Sequence, residues 1–304
     1  MQFDSRQLAA LAAILRLGSF EAAAQSLGVT QSAISQRLKA LEEQVGAVLV
    51  LRESPCRGTD AGTRLAAHAE TVRLLEEDVS RDLGTGGATS DALPVVRIAV
   101  NADSIATWFL GALEGIDNVT FDLVVDDETH SADWLRRGDV IAAVTEHARP
   151  VQGCDVYNLG ALRYVATASR DYVNRWFPDG VNSAAMAQAP MLRFSPKDTL
   201  QAEWIEEHFG AGLHPPAHVI PSSHGFIEAS RRGIGWALNP KALVEIPIKR
   251  GRLQLLEKDA PLDRPLYWQV SRRMADVLAP LTAAVKQRAS KTLVMPQDAD
   301  TPTP

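Results

Sequence analysis

The sequence predicts a helical N-terminal head followed by an α/β domain. Three observations lead there. Through residues 1–83 the apolar positions recur at helical spacing. The stretch GTGGATSD, residues 84–91, then interrupts the pattern with a composition suited to a flexible linker. Beyond it, compact apolar runs alternate with helical stretches, the signature of a parallel sheet with crossover helices.

In the head, Leu8, Leu11, Ala12 and Leu15 form one face of a first helix, which Gly18 breaks. Ser19 is placed to cap a short helix from Phe20 to Leu27, and Gly28-Val29 makes a tight turn. Thr30 caps a third helix from Gln31 to about Val45, closed by Gly46. Ala47 to Leu51 suits a short strand, and Glu53 to Thr59, with Pro55 and Gly58, a loop. In the next segment Ala61, Leu65, Ala69, Val72, Leu75, Val79 and Leu83 advance 22 residues in six steps, about 3.7 per step, so a long helix follows.

In the α/β part, strands are expected at Val95–Val100, Thr120–Val125 and Val140–Thr145, with helices near 103–115 and 130–137. A second set lies at Tyr164–Ala168, Met191–Phe194, His218–Ile220 and Trp236–Leu238, then Leu266–Val270 and a last helix from about Met274 to Lys291. The domain scheme is therefore a head at 1–60, a linker helix at 61–84, a hinge at 85–92, an α/β domain at 93–292 whose second subdomain spans about 163–266, and a disordered tail at 293–304.

Composition narrows the function. With 31 Lys and Arg against 37 Asp and Glu, the net charge is −6, which gives no sign of a general polyanion binder; any contact with nucleic acid must be local. Two cysteines, Cys56 and Cys154, without a Cys-x-x-Cys pair argue against a disulfide framework or a cysteine zinc site, and no His/Asp/Glu grouping has metal spacing. Both thiols are expected to be inert. The start MQFDSRQLAA lacks a signal-peptide layout and no run is long enough to span a membrane, so a cytoplasmic protein without membrane contact is expected. No G-x-S-x-G, P-loop or dinucleotide fingerprint occurs, so neither enzyme chemistry nor a cofactor is expected.

Three short helices with a tight turn before the third suggest a helix-turn-helix. Ile34, Leu38, Leu41 and Val45 form the inward stripe of the third helix. Gln31, Ser32, Ser35, Gln36 and Lys39 project elsewhere, and short amide and hydroxyl side chains near a helix start suit base edges and phosphates in a major groove. Arg52 and Arg57 on the following strand and loop suit a wing on the backbone or minor groove. The alternative is an amphipathic helix with a solvated polar face. Residues 1–86 hold nine basic and eleven acidic side chains, so charge leaves both readings open.

A resemblance separates them. FEAAAQSLGVTQSAISQRLKALEEQVGAVLVLR, residues 20–52, resembles the winged helix-turn-helix of LysR-type transcriptional regulators, through the T-Q-S-A-I-S core, Leu41-Glu42, Gly46, Arg52 and the T-x-A-G at Thr59–Gly62. The resemblance implies a dimerising linker helix and a periplasmic-binding-protein-like effector domain of two subdomains. It also implies that Gln31, Ser32, Ser35, Gln36 and Lys39 face DNA while Arg52 and Arg57 hold its backbone. Within that family, AVNADSIATWF (99–109), LRRGDVIAAVT (135–145), V-x-G-C (151–154), RRGIGWALNP (231–240) and PLYWQ (265–269) are similar to the regulators of arginine and lysine export; Glu146–Arg149 departs from them. This implies a double-stranded DNA operator, self-association of identical chains to a dimer or tetramer, RNA polymerase as a further partner, and an amino-acid exporter as the regulated gene.

Ligands of open α/β sheets bind beyond the carboxyl ends of the strands. Here those ends carry Asn101, Asp103 and Ser104, then Asp126, Asp127 and Glu128, then Thr145 and Glu146. A helix start with the Ser104 hydroxyl can receive a carboxylate, and the acids can receive amines. That pattern suits a basic amino acid as effector, and the resemblance independently suggests lysine or arginine. The competing readings are that Asp103 and Ser104 merely cap a helix and that 126–128 is a solvated turn. Trp108 and Trp236 are expected in the core, and His130 and His224 are further possible ligand contacts. Rival functions are an effector-independent nucleoid or replication-origin protein, and a cleft enzyme or solute-binding module with a helical adaptor.

Overall fold

The computed structural model describes residues 2–84, 93–125 and 131–295. The chain divides into two compact units, the first of residues 1–100, 115–157 and 268–282, the second of 101–114, 158–267 and 283–304.

The first unit begins with the helical head. Helix α1 (Ser5–Leu17) is capped by the Asp4 carboxylate, which accepts from the Arg6 and Gln7 N–H groups, and ends at Gly18. Helix α2 (Phe20–Ser26) starts at the Ser19 hydroxyl cap. Helix α3 (Gln31–Val45) starts at Thr30, whose Oγ1 accepts from Ala33 N–H at 3.2 Å, and ends at Gly46. Leu8, Leu11 and Ile14 of α1 and Ile34, Leu38 and Leu41 of α3 are buried against one another. Burying each such side chain favours the fold by roughly 1.5–3 kcal/mol.

The expected strand at Ala47–Leu51 shrinks to β1 (Val50–Leu51), paired antiparallel with β2 (Arg57–Gly58) inside the segment read as a loop. Ala47 instead donates to the Glu42 carbonyl, and the Glu42 carboxylate accepts from Leu49 N–H at 2.8 Å, so these residues close α3 rather than extend the ladder. Helix α4 (Asp60–Asp82) follows. Its start packs on the head through buried Ala69; further along Leu75, Val79 and Leu83 are exposed.

Strand β3 (Val95–Val100) ends the first stretch of this unit, and α5 (Ala102–Thr107) opens the second. Strand β4 (Thr120–Val125), α6 (Ser131–Arg137) and β5 (Ala142–Thr145) return to the first. β3 pairs parallel with both β4 and β5, with Ile98 opposite Leu123 on one side and Ala142 on the other. Ala132 and Leu135 of α6 cover Ala99 and Ala143, as a crossover helix must.

Strand β6 (Cys154–Ala168) leads into the second unit, followed by α7 (Arg170–Trp176), α8 (Ser183–Met186), β7 (Met191–Arg193), α9 (Leu200–Phe209) and β8 (Ala217–Val219). Then come α10 (Ser223–Arg231), β9 (Ala237–Pro240), α11 (Lys241–Lys249), β10 (Gln254–Leu255), β11 (Leu262–Ser271) and α12 (Ala279–Thr292). The parallel-sheet expectation is corrected here. β7 and β8 are parallel, but β6 pairs antiparallel with β9 and β10. The apolar run at Tyr164–Ala168 is only the end of β6; its earlier residues mix polar and apolar side chains and carry no strand signal of their own. The start of the expected disordered tail is ordered: Leu293 is buried, and Val294 exchanges backbone hydrogen bonds of 2.7 and 3.0 Å with Ala161; residues 296–304 lie outside the described residues.

Candidate functional site

Helix α3 separates its two sets of side chains as its periodicity requires. Ile34, Leu38 and Leu41 are buried, while Gln31, Ser32, Gln36 and Lys39 are exposed and Ser35 is half-buried. Lys39 Nζ lies 3.7 Å from Glu43, an exposed pair of little energetic weight. Arg52 and Arg57 flank the wing, both exposed; the Arg52 guanidinium sits 5.1 Å from the Phe20 ring centroid, and Arg57 lies 4.0 Å from Glu53. A cation held over an aromatic face keeps its charge and N–H donors at the surface.

The wing is anchored by the T-x-A-G segment. Thr59 N–H donates to Leu49 O at 3.0 Å, its Oγ1 donates to Val48 O at 2.8 Å, and the same oxygen accepts from Gly62 N–H at 3.1 Å. Thr59 therefore caps α4 and ties it to the segment that enters β1. Gly62 completes the joint by close approach, since a Cβ there would fall 1.9 Å from Leu49 O.

In the second unit, Asn101, Asp103 and Ser104 cluster at the start of α5. The cap is Asn101, whose Oδ1 accepts from Ser104 N–H at 3.3 Å. Asp103 is not a cap. Its half-buried carboxylate accepts from Tyr164 OH at 2.8 Å on one oxygen and from Ser223 Oγ at 3.0 Å on the other. Burial pushes this carboxyl above its ordinary value; the two hydroxyl donors pull it back, and the Asp198 charge adds to the rise. The Ser104 hydroxyl is fully buried and finds no partner among the described residues.

The first unit holds Thr145 and Glu146. Thr145 is fully buried, and its Oγ1 accepts from Gln269 Nε2 at 3.1 Å. Gln269 also accepts from Val151 N–H at 2.8 Å and donates to His147 O, so one amide braces the loop that departs from the expected pattern. Glu146 is half-buried. Asp126, Glu128 and His130 lie outside the described residues. Trp108 and Trp236 are buried, and His224 is exposed. Cys56 and Cys154 are free; burial pushes the Cys154 thiol up. Among the described residues no cluster of His, Cys, Asp or Glu could hold a metal, and no helix is long and apolar enough to cross a membrane.

Tyr164, Ser223 and Gln269 were not singled out by their own chemistry. Tyr164 and Ser223 stand 61 and 120 residues from Asp103, so no local spacing joins them.

Residues 5–63 match the bacterial regulatory helix-turn-helix of the lysR family, and residues 94–290 match the LysR substrate binding domain. The chain belongs to the LysR family of transcriptional regulators. Its relatives agree along nearly the whole length. It is 44% identical over 289 residues to the HTH-type transcriptional regulator LysG of Mycobacterium bovis, covering 95% of this chain and 94% of that one. It is 40% identical to the lysine export transcriptional regulatory protein LysG of Corynebacterium glutamicum, covering 94% and 98%. Full-length LysG of Corynebacterium glutamicum, solved with the effector Arg bound, is 38% identical and superposes with a TM-score of 0.65 over 96% of this chain and all of that one. This LysR-family chain thus has a winged helix-turn-helix head and a periplasmic-binding-protein-like effector domain, and it is an effector-type DNA-binding regulator.

Proposed function

We propose that this LysR-family regulator responds to a free basic amino acid, lysine or arginine, and controls an amino-acid exporter gene. The observation that carries the reading is the Asp103 carboxylate, oriented from both oxygens by neutral hydroxyl donors, with no cation among its hydrogen-bond partners in the described residues. A carboxylate so held suits an α-ammonium group. The buried Ser104 hydroxyl, without a partner among the described residues, supports a donor to the α-carboxylate, and Asp126, Glu128 and Glu146 are the candidates for the distal cation, with Asn101 and Thr145 at the strand ends. The arginine bound to the Corynebacterium relative, and that relative's role in lysine export, support the ligand class and the target.

In this reading residues 1–60 read an operator through Gln31, Ser32, Ser35, Gln36 and Lys39, with Arg52 and Arg57 on the backbone. The 61–84 helix pairs two chains, 85–92 is a hinge, and 93–292 senses the effector. The assembly is a cytoplasmic homotetramer that meets RNA polymerase at its promoter. The exposed Leu75, Val79 and Leu83 support the pairing helix.

Calorimetry of the full chain with lysine, arginine and norleucine tests the ligand. Lysine or arginine should bind and norleucine should not. Norleucine binding as tightly as lysine would show that no acid reads the side chain. Absence of heat with all three, in protein that still binds DNA, would favour an effector-independent nucleoid-type role.

A further inference from the structure

We propose that Tyr164 and Ser223 are positioning residues that determine recognition of the effector's α-amine, by holding the Asp103 carboxylate in place. This rests on the reading of Asp103 as the ammonium acceptor.

The three side chains come from three separate elements of the second unit. Asp103 sits in the first turn of α5, Tyr164 lies in β6 opposite Pro240 of β9, and Ser223 is the first residue of α10. Tyr164 is almost wholly buried and lies in a paired strand, so its hydroxyl is a fixed donor. Ser223 is fixed by the helix it begins, whose own cap is the neighbouring Ser222, accepting from Gly225 N–H at 3.1 Å. The Ser223 hydroxyl is therefore not consumed by capping and turns to Asp103 instead.

An ionised carboxylate offers about four lone-pair sites. The two hydroxyls take one site on each oxygen and lock the plane of the group, which leaves a defined pair of directions for an ammonium. A carboxylate without these donors would rotate about its last torsion, a broad, soft one. Both donors are neutral, so they orient the acid without neutralising it, as a lysine or arginine partner would. They also favour its charged form against burial and against Asp198. The helices packed on α5 carry His224, Glu228 and Arg231 on α10 and Lys241, Glu245 and Lys249 on α11. All of these stay unchanged when a hydroxyl is removed.

The experiment measures binding of lysine and of 6-aminohexanoate, which is lysine without its α-amine, to the full chain. The variants are Tyr164→Phe, Ser223→Ala, Ser223→Thr and Asp103→Asn. Tyr164→Phe and Ser223→Ala should weaken lysine roughly five- to thirtyfold, less than the loss of a direct charge-assisted hydrogen bond would cost, because they act through Asp103. Affinity for 6-aminohexanoate should stay within about twofold, and Ser223→Thr should restore lysine binding. Equal loss for both ligands would make the hydroxyls structural ties and overturn the proposal. Should 6-aminohexanoate bind too weakly to measure, the pH profile of lysine binding decides. Loss of the Tyr164 donor must move the acid-side midpoint upward, and an unmoved midpoint overturns the proposal. Asp103→Asn separates the two levels. If it leaves lysine binding intact, the reading of Asp103 fails and this proposal with it. If it abolishes binding while Tyr164→Phe and Ser223→Ala change nothing, only the positioning role fails.

Discussion

Replacing Gly62 by alanine sets two effects of opposite sign against each other. Gly62 lies in the first turn of α4, where helix propensity alone favours alanine by about 1 kcal/mol. The added Cβ would stand 1.9 Å from Leu49 O, 2.8 Å from Leu49 C and 3.2 Å from Leu49 Cα. Comfortable carbon–oxygen approach begins at about 3.3 Å, so the helix and the Leu49 backbone must part by roughly 1.4 Å. The obstacle is backbone, and no rotamer change relieves it. Overpacking of this kind costs about 1–3 kcal/mol and sometimes more. The parting also stretches Thr59 N–H to Leu49 O and Thr59 Oγ1 to Val48 O, each worth about 0.5–1.5 kcal/mol. The sum outweighs the propensity gain, leaving a net loss of about 1–5 kcal/mol. Hydrogen exchange followed by mass spectrometry on the full chain reads this locally. Amides of α1 and α3 should lose protection about tenfold or more, while those of β6 and α12 keep theirs. Equal or greater protection in the head would refute the steric reasoning and leave propensity as the governing effect.

Three further outcomes are expected. Gln31→Ala and Ser35→Arg should weaken binding to an operator more than to random DNA, whereas Arg52→Ala weakens both, as fluorescence anisotropy at several salt concentrations will show; equal losses on both DNAs for Gln31 and Ser35 would remove them from base reading. Leu75→Asp places a charge on the exposed apolar face of α4, and if that face pairs with a second copy, sedimentation should show smaller species and DNA affinity should fall; an unchanged assembly would place dimerisation elsewhere. Asp103 has a raised folded pKa, so ionising it opposes folding once the pH exceeds its unfolded value, and the full penalty is present above the folded value. Ligand-free Asp103→Asn should therefore melt no lower than the parent near pH 7 while losing lysine affinity, and lysine binding to the parent should fade on acidification at a higher pH than an ordinary carboxylate would give; a lower melting temperature in the variant counts against the desolvated carboxyl.

What was legible in the sequence depended on the range of the interaction behind it. Helix α3 was readable to its ends because its cap, stripe and stop are all local: Thr30 Oγ1 to Ala33 N–H, Ile34–Leu38–Leu41, and Gly46. The parallel trio β3, β4 and β5 was readable because each strand is a short apolar run with a covering helix between. Strand β6 was readable only at its end, since its earlier residues are set by pairing and not by an apolar run. Its antiparallel partners in β9 and β10 lie 70 or more residues later, and nothing in a window of ten residues signals the pairing.

The same division runs through the candidate site. Asn101, Asp103 and Ser104 could be singled out because strand ends that carry polar residues can be located from the apolar run before them. Their roles were not readable in the same way. Sequence alone offered Asp103 and Ser104 as caps, but the cap is Asn101, and this frees Asp103 to face side chains from β6 and α10. Thr145 sat at a strand end as expected, yet Gln269 holds its hydroxyl across 124 positions of sequence. Position at a strand end therefore does not by itself make a polar residue a ligand contact; the deciding fact is whether a distant side chain has already taken its hydrogen-bonding capacity. On that criterion Ser104, buried with a hydroxyl that finds no partner among the described residues, and Asp103, whose two neutral donors leave about half of its acceptor sites open, are the stronger candidates, and Thr145, whose hydroxyl accepts from Gln269 and donates to His147 O, is the weaker one.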